Sequence, residues 1–358
     1  MKNEGHLLLF FFGHSPGGSL PRLTITKFKS LAFLAFLCSI VSCSSGGSFS
    51  PDFPAGDAVG MDAVPSGRDF LSTRIDLQIR PRVGGSAATR ADDWYLIRRL
   101  DLFVFNDDGI GALDAYRRSY AYSPASVTVP SASGAKRLVA VANHTFPDDF
   151  ATQLSCYEDL RRAVVCFTDD HPSFPVMSGE VRFTAGAGAS CSLTLEPMMS
   201  SVEIRSLRCS LPDGQTLRDV RVYLTGVSNR AEILRQEGFL PSEILNDNAL
   251  SEQDLGRLAY SGMVYRYLGN GRPDGSGFGY AVLYCYPNEA EDESFASPHT
   301  RLVIEGTLDG RPRFYSIPVN QSPGAENPGI GRNRRYVFDL TLKSTGTESP
   351  VEDVLPPP

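Results

Sequence analysis

The sequence predicts an all-β chain built as two antiparallel β-sandwiches in series. Three observations carry this. Apolar residues alternate with polar ones at period two, as where Ile75, Leu77 and Ile79 sit between Arg74, Asp76, Gln78 and Arg80. Turn-forming residues punctuate the chain between such runs; 33 Gly and 25 Pro are enough to close many short hairpins. Helical periodicity is confined to short stretches, which excludes a bundle or a wound α/β fold.

In chain order, a first strand surrounds Ile75–Ile79, and a loop at 83–93 contains Ala87-Ala88-Thr89-Arg90-Ala91-Asp92. Arg99–Asn106 is the strongest strand signal and runs into the turn Asp107-Asp108-Gly109. Strands are expected at 112–122, 125–129 and 136–142, then a short helix within 148–162 with Asp148 or Asp149 near its start. Strands return at 180–184, 190–196 and 201–208. The second half has the same texture. Asp219–Thr225 is a strand, 229–258 is mixed and partly helical, and Gly269–Gly277 is a flexible loop. Strands follow at 279–286, 300–307 and 312–319. The closing strand, Arg335–Lys343, puts Tyr336, Phe338, Leu340 and Leu342 on one face and Asp339, Thr341 and Lys343 on the other. The best boundary lies near Pro197–Ser200, giving domains at 71–199 and 200–343, with a Pro-rich tail at 344–358 expected to be disordered.

The N-terminal region is of a different kind. Leu31–Val41 is an apolar run preceded by Lys27 and Lys29 and ended by Ser42-Cys43. This is the layout of a bacterial lipoprotein signal: small residues before the cut, then a cysteine whose thiol takes diacylglycerol. The run is too short to be a spanning helix. We therefore expect a signal peptide at 1–42, lipid on Cys43 and a flexible Ser/Gly/Pro tether at 43–70. An extra apolar patch at His6–Phe12 implies a start downstream of Met1 or an unusually long leader. A plainly secreted signal is the alternative.

Leaving out 1–42 removes Lys2, Arg22, Lys27, Lys29 and the acid Glu4, so the formal charge moves from −7 to −10. That balance excludes nucleic acid as a partner. Beyond residue 42 the only lysines are Lys136 and Lys343. Cys156, Cys166, Cys191, Cys209 and Cys285 are odd in number and lack CxxC spacing, so they read as mostly buried free thiols, not a disulfide frame or zinc site. Asn106-Asp-Asp-Gly109 lacks calcium-loop spacing and reads as a hairpin turn. Gly269–Gly277 has no Gly-Lys-Ser/Thr, and Met177-Ser-Gly-Glu180 is no nucleophile elbow. His144, His171 and His299 have no metal-binding spacing. No enzyme activity, metal or cofactor is expected. Tyr116, Tyr120 and Tyr122 share one parity, which reads as a core-facing row or, alternatively, a sugar-stacking stripe.

Several motifs in order carry a resemblance. They are the lipobox, Ala88-Thr-Arg-Ala91, Leu100-Asp-Leu-Phe-Val-Phe-Asn-Asp-Asp-Gly109, Leu138-Val-Ala-Val-Ala-Asn143, Phe174-Pro-Val-Met-Ser-Gly179, Leu195-Glu-Pro-Met-Met-Ser-Ser-Val-Glu-Ile204, Tyr284-Cys-Tyr-Pro-Asn288 and Ile330-Gly-Arg-Asn-Arg-Arg-Tyr336. Over residues 70–343 the chain resembles the fimbrillin superfamily of Bacteroidales-type bacteria, the fimbrial subunits and their anchor lipoproteins. The resemblance implies two tandem transthyretin-like sandwich domains and assembly by donor-strand exchange, in which a neighbour's extended segment completes a sheet. It implies an arginine-specific protease that removes the first strand, with Arg90 the best-placed cleavage residue and Arg74 a poorer one. The implied partners are other fimbrial subunits and outer-membrane lipid through Cys43, with the chain on the cell surface as an anchor, accessory or tip subunit. A surface adhesin or glycan-binding lipoprotein on the same fold, with host or bacterial surface ligands, is the alternative.

Overall fold

A computed structural model of the chain describes residues 71–84, 95–235, 239, 243–270, 277–290, 293–294, 298–321 and 328–351. Cys43, the leader, the tether and Arg90 lie outside the described residues. What is described is mostly strand, as the alternation predicts.

The first half holds β1 (Leu71–Ile79), β2 (Leu100–Asn106), β3 (Leu113–Ser119), β4 (Ser126–Ser131), β5 (Gly134–Ala142), the short helices α1 (Phe150–Gln153) and α2 (Tyr157–Arg161), β6 (Val164–Cys166), β7 (Met177–Ala185) and β8 (Ser190–Pro197). The main strands form one hydrogen-bonded order, β3-β2-β5-β7-β8-β1-β4. It bends between β7 and β8, which share only the pairs Met177↔Pro197 and Ser178↔Glu196. Gly179 permits the crossing, since a Cβ there would lie 2.1 Å from the Thr194 carbonyl oxygen. The bend makes two facing layers. Leu100, Leu102, Val104, Leu138, Ala140 and Ala142 from one pack with Ile75, Val129, Leu193 and Leu195 from the other, each 0–1% exposed. A buried aliphatic side chain of this kind contributes about 1.5–3 kcal/mol.

The opposite parity of β2 and β5 is buried too. Phe103, Phe105, Val139 and Val141 belong to a second cluster that continues under α1, α2 and β6 into the other half of the chain. This explains why 100–105 is apolar at every position but Asp101, without alternation. It is a two-sided strand covered on both faces.

The second half holds β9 (Ser200–Cys209), β10 (Arg218–Thr225), β11 (Val227–Ser228), β12 (Arg230–Glu232), β13 (Ile244–Leu245), α3 (Glu252–Arg257), β14 (Tyr265–Gly269), β15 (Ala281–Cys285), β16 (Arg301–Leu308), β17 (Arg311–Pro318) and β18 (Arg335–Leu342). Two sheets, β14-β10-β16-β17 and β15-β9-β18, enclose Val202, Ile204, Val222, Leu224, Leu283, Leu302 and Ile304. Strand β14 lies in a stretch where no strand was expected. Between the halves, β8 ends at Pro197 and β9 begins at Ser200, and Met198 through Ser201 are all 0% exposed.

Three expectations need correction. Residues 344–351 are not a free tail: Thr347 and Phe314 exchange backbone hydrogen bonds of 2.9 and 3.0 Å, and the Tyr315 hydroxyl donates to the Ser344 carbonyl at 2.8 Å. A short segment can be held this way without core residues because it satisfies an edge strand. Residues 352–358 lie outside the described residues. The tyrosines at 116, 120 and 122 share no face, because β3 ends at Ser119; Tyr116 is buried while Tyr120 and Tyr122 are 55% and 66% exposed. The five thiols are free, but only Cys285 is fully buried and the other four are half-buried.

Candidate functional site: the first strand and its seat

Strand β1 occupies an interior position in its sheet layer. On one side it runs parallel to β8, from Arg74↔Ser190 to Ile79↔Leu195. On the other it is antiparallel to β4, from Leu71↔Ser131 to Asp76↔Ser126. The period-two pattern sets which side chains seal the layer: Thr73 and Ile75 are wholly buried and Leu77 and Ile79 half-buried, while Ser72, Arg74 and Gln78 face water. Among the described residues Arg74 pairs with Asp76 at 2.9 Å, an exposed pair. Removing β1 would leave two strands, β8 and β4, with unpaired backbone groups beside an uncovered apolar row.

Beyond Ile79 the chain crosses to the second half and is clipped there. Arg80 N–H donates to the Leu195 carbonyl at 2.8 Å, and its guanidinium to Glu196 at 2.9 Å. The Asn333 side-chain amide donates to the carbonyls of Arg80 and Pro81 at 3.3 and 3.2 Å. Val83 N–H donates to Asn333 O at 2.9 Å and Arg335 N–H to Val83 O at 2.8 Å. Arg82 lies between the rings of Tyr95 and Tyr284, 5.4 and 5.6 Å from their centroids. Gly84 comes so close that a Cβ would sit 2.6 Å from the Arg335 carbonyl oxygen, with φ at 108°. The next ten residues, which include Arg90, are outside the described set.

The loop that receives this clip is Ile330-Gly-Arg-Asn-Arg-Arg-Tyr336, and Arg332, Asn333, Arg335 and Tyr336 each have a structural task there. Arg332 donates to Ser178 Oγ and the Glu196 carbonyl at 2.8 Å, and to the carbonyls of Ile233 and Pro197 at 3.2 and 3.4 Å. Burial among these neutral oxygens pulls its guanidinium down to about 10. Asn333 is wholly buried at φ 53°, a conformation asparagine tolerates better than most residues. Arg335 pairs with Glu203 at 2.6 Å, both buried. Tyr336 accepts from Gly331 N–H at 2.9 Å and donates to the Gly329 carbonyl at 3.2 Å. The run of Arg and Asn just before the last strand was the available signal for this junction, but spacing alone gives no way to see that its partners lie 99 to 253 positions earlier.

Among the described residues no group of three or more His, Cys, Asp or Glu is placed to hold a metal ion, and no helix is long and apolar enough to cross a membrane. The turn at Asp107–Gly109 is an Asx-type hairpin: Asp108 Oδ1 accepts from Ile110 N–H at 3.0 Å and Gly111 N–H at 2.7 Å. Those two bonds hold the Asp108 carboxyl below its ordinary value.

No protein-family model matches the chain, and no curated protein matches its sequence. Solved structures do match in fold. A proposed cell adhesion protein of Bacteroides eggerthii aligns with TM-score 0.58 at 16% identity, over 80% of this chain and 93% of its own. A fimbrilin of Porphyromonas gingivalis aligns with TM-score 0.54 at 16% identity, over 78% and 92%. The tip fimbrial protein Mfa3 of the same organism aligns with TM-score 0.50 at 12% identity, over 76% and 94%. The chain thus has the fold of Bacteroidales fimbrilins and of the adhesion proteins built like them.

Proposed function

We propose that this chain is a structural subunit of a cell-surface fimbria and that β1 is a replaceable strand. The observation that carries the reading is the position of β1: hydrogen bonded on both sides, sealing a core layer, and followed at once by the segment that contains Arg90. Cleavage at Arg90 would free the strand from the rest of the chain while leaving β4 and β8 as the two banks of an apolar slot. An extended segment from a neighbouring subunit fits such a slot, main-chain hydrogen bonds setting its direction and alternate side chains entering the positions of Thr73, Ile75, Leu77 and Ile79. The same reading takes 71–199 and 200–343 as tandem transthyretin-like domains, Cys43 as the site of lipid attachment on the outer-membrane surface, and the protein's role as assembly without catalysis.

The test is native digestion with an arginine-specific protease, followed by N-terminal mapping and sizing. A single cut after Arg90, loss of the whole N-terminal segment ending at Arg90, and formation of heterologous complexes only by the cut protein support the proposal. A cut protein that keeps its strand, or an uncut protein that assembles equally well, sinks it.

A further inference from the structure

Lys136 stands out first by composition. It is one of two lysines after residue 42, in a chain that otherwise uses arginine for positive charge. The other, Lys343, is exposed, whereas Lys136 is 2% exposed and continues the inward row Leu138, Ala140, Ala142 of β5. Directly opposite it on β2 is Asn106, its partner in register. The Lys136 amine donates to Asn106 Oδ1 at 2.6 Å. Asp114 Oδ2 lies 2.8 Å from the same amine and accepts from Ala132 N–H at 2.8 Å. Asp114 is itself 4% exposed. It is also the extra residue of a β-bulge: the β2–β3 register goes from Val104↔Ala115 to Phe105↔Leu113 and skips it. Bulges re-aim a side chain, and this one delivers a carboxylate to a buried amine already touching an amide.

We propose that Lys136 and Asn106 become joined by an intramolecular isopeptide bond, with Asp114 as the proton shuttle. A buried ion pair is poor value for stability alone. Lysine, unlike arginine, can lose its proton and attack a carbonyl carbon. Asp114 takes a proton from the ammonium along the 2.8 Å contact, leaving a neutral amine. The amine attacks Asn106 Cγ. Asp114 returns its proton to the departing nitrogen, the Nζ–Cγ bond forms, the Cγ–Nδ2 bond breaks and ammonia is released. The attacking nitrogen's surplus proton passes to Asp114 and leaves as ammonium. Amine plus carboxamide gives secondary amide plus ammonia, with no oxidant or cofactor. Enclosure and fixed geometry supply the acceleration that an intramolecular reaction gains. The link would close the chain from 106 to 136 into a loop containing β3 and β4. One bank of the β1 slot would then remain covalently tied to the central strand pair whether or not β1 is present.

The test is peptide mapping of the folded full chain by mass spectrometry after tryptic digestion. The expected product is a branched species joining Leu100–Arg117 to Ser119–Arg137, lighter by one ammonia, about 17 Da, than the sum of the two peptide masses. Cleavage after Lys136 should be lost, and the denatured protein should run faster in a gel than a chain without the loop. Asp114→Ala should give no branched species: Leu100–Arg117, carrying the substitution, and Ser119–Lys136 appear separately, with cleavage after Lys136 restored. Recovery of separate, full-mass peptides from folded wild-type protein overturns the proposal. So does an ammonia loss that maps to Asn106 alone, as a cyclic imide with Asp107, without a branch. The wild-type measurement decides the matter even if the Asp114 variant does not fold.

Discussion

The first and last strands of the fold are opposites. Both run parallel to a neighbour, β1 to β8 and β18 to β9. β1 also has β4 on its other side, whereas β18 ends the order β15-β9-β18. β1 buries Thr73 and Ile75 completely, while Tyr336, Phe338 and Leu340 of β18 are only half-buried. The difference shows that a strand's value lies in what its departure exposes. Losing β18 would strip one strand from an edge, but losing β1 would open two edges and the apolar row between them. Under the proposed function, the strand that would be released is also the one whose departure exposes the most.

The strongest way to break this comparison is to bury a charge in each strand. Ile75→Asp places an unpaired carboxylate in a sealed layer and should cost about 3–5 kcal/mol, enough to unfold the first half. Leu340→Asp can turn toward water and should cost about 1–2 kcal/mol. Denaturant melts of the two variants check this. Equal losses would mean that β18 is as enclosed as β1.

The comparison must be made at one pH, because two groups between the strands titrate in opposite senses. Asp170 accepts from His171 N–H at 2.7 Å, Val176 N–H at 2.9 Å and the Tyr286 hydroxyl at 2.9 Å, yet burial pushes its carboxyl up to about 7. The folded state holds that proton more tightly than the unfolded chain, whose value is near 3.8, so stability falls as pH rises from about 4 to about 7. Burial pulls His144, edge-on to Phe146 at 4.3 Å, down to about 4. Its contribution is present above 6.5 and is lost as pH falls toward 4. The two slopes oppose each other, each on the order of 3–4 kcal/mol across its window. Asp170→Asn should therefore make the protein more acid-sensitive, and His144→Phe should make it more stable at pH 5 than at pH 7. Melting midpoints across that range report both, and a profile unchanged by either substitution would remove these groups from the account.

Alternation made the strands legible, because a half-buried strand writes its two faces into the sequence; β18 and β1 were readable residue by residue. Elements that pack on both faces or lack alternation were not. β14, reading Tyr-Arg-Tyr-Leu-Gly, gives no clean face, and β6 is three residues whose burial depends on pairing with β12, more than sixty positions away. The loop at 330–336 was recognisable as a motif, but its work is done by carbonyls at 80, 81, 196 and 197, which no local pattern announces. Lys136 is the converse case. Its rarity was visible at once, and only the fold placed an asparagine and an aspartate against it.

A smaller effect separates the clip from the strand it follows. Asn333→Ala removes two hydrogen bonds to the tail of β1 and leaves a Cβ residue at φ 53° without asparagine's tolerance for that region. The expected loss is about 1–2 kcal/mol. It should appear chiefly as faster hydrogen exchange at Val83 and Arg335, with the β1–β4 amides unchanged. Fast exchange along all of β1 would mean that clip and strand open together, and the strand could not then be released in stages.

The smallest effect comes from the exposed pair Arg205–Asp339 between β9 and β18. Each partner holds the other toward its charged form, but both side chains are about half exposed, at 60% and 46%. Water and salt screen such a contact, and two long side chains lose freedom to make it. Arg205→Ala should leave the melting midpoint where it is at physiological salt. A clear drop would show that β18 depends on its surface charges to stay docked, and the contrast with β1 would then rest on electrostatics as well as burial.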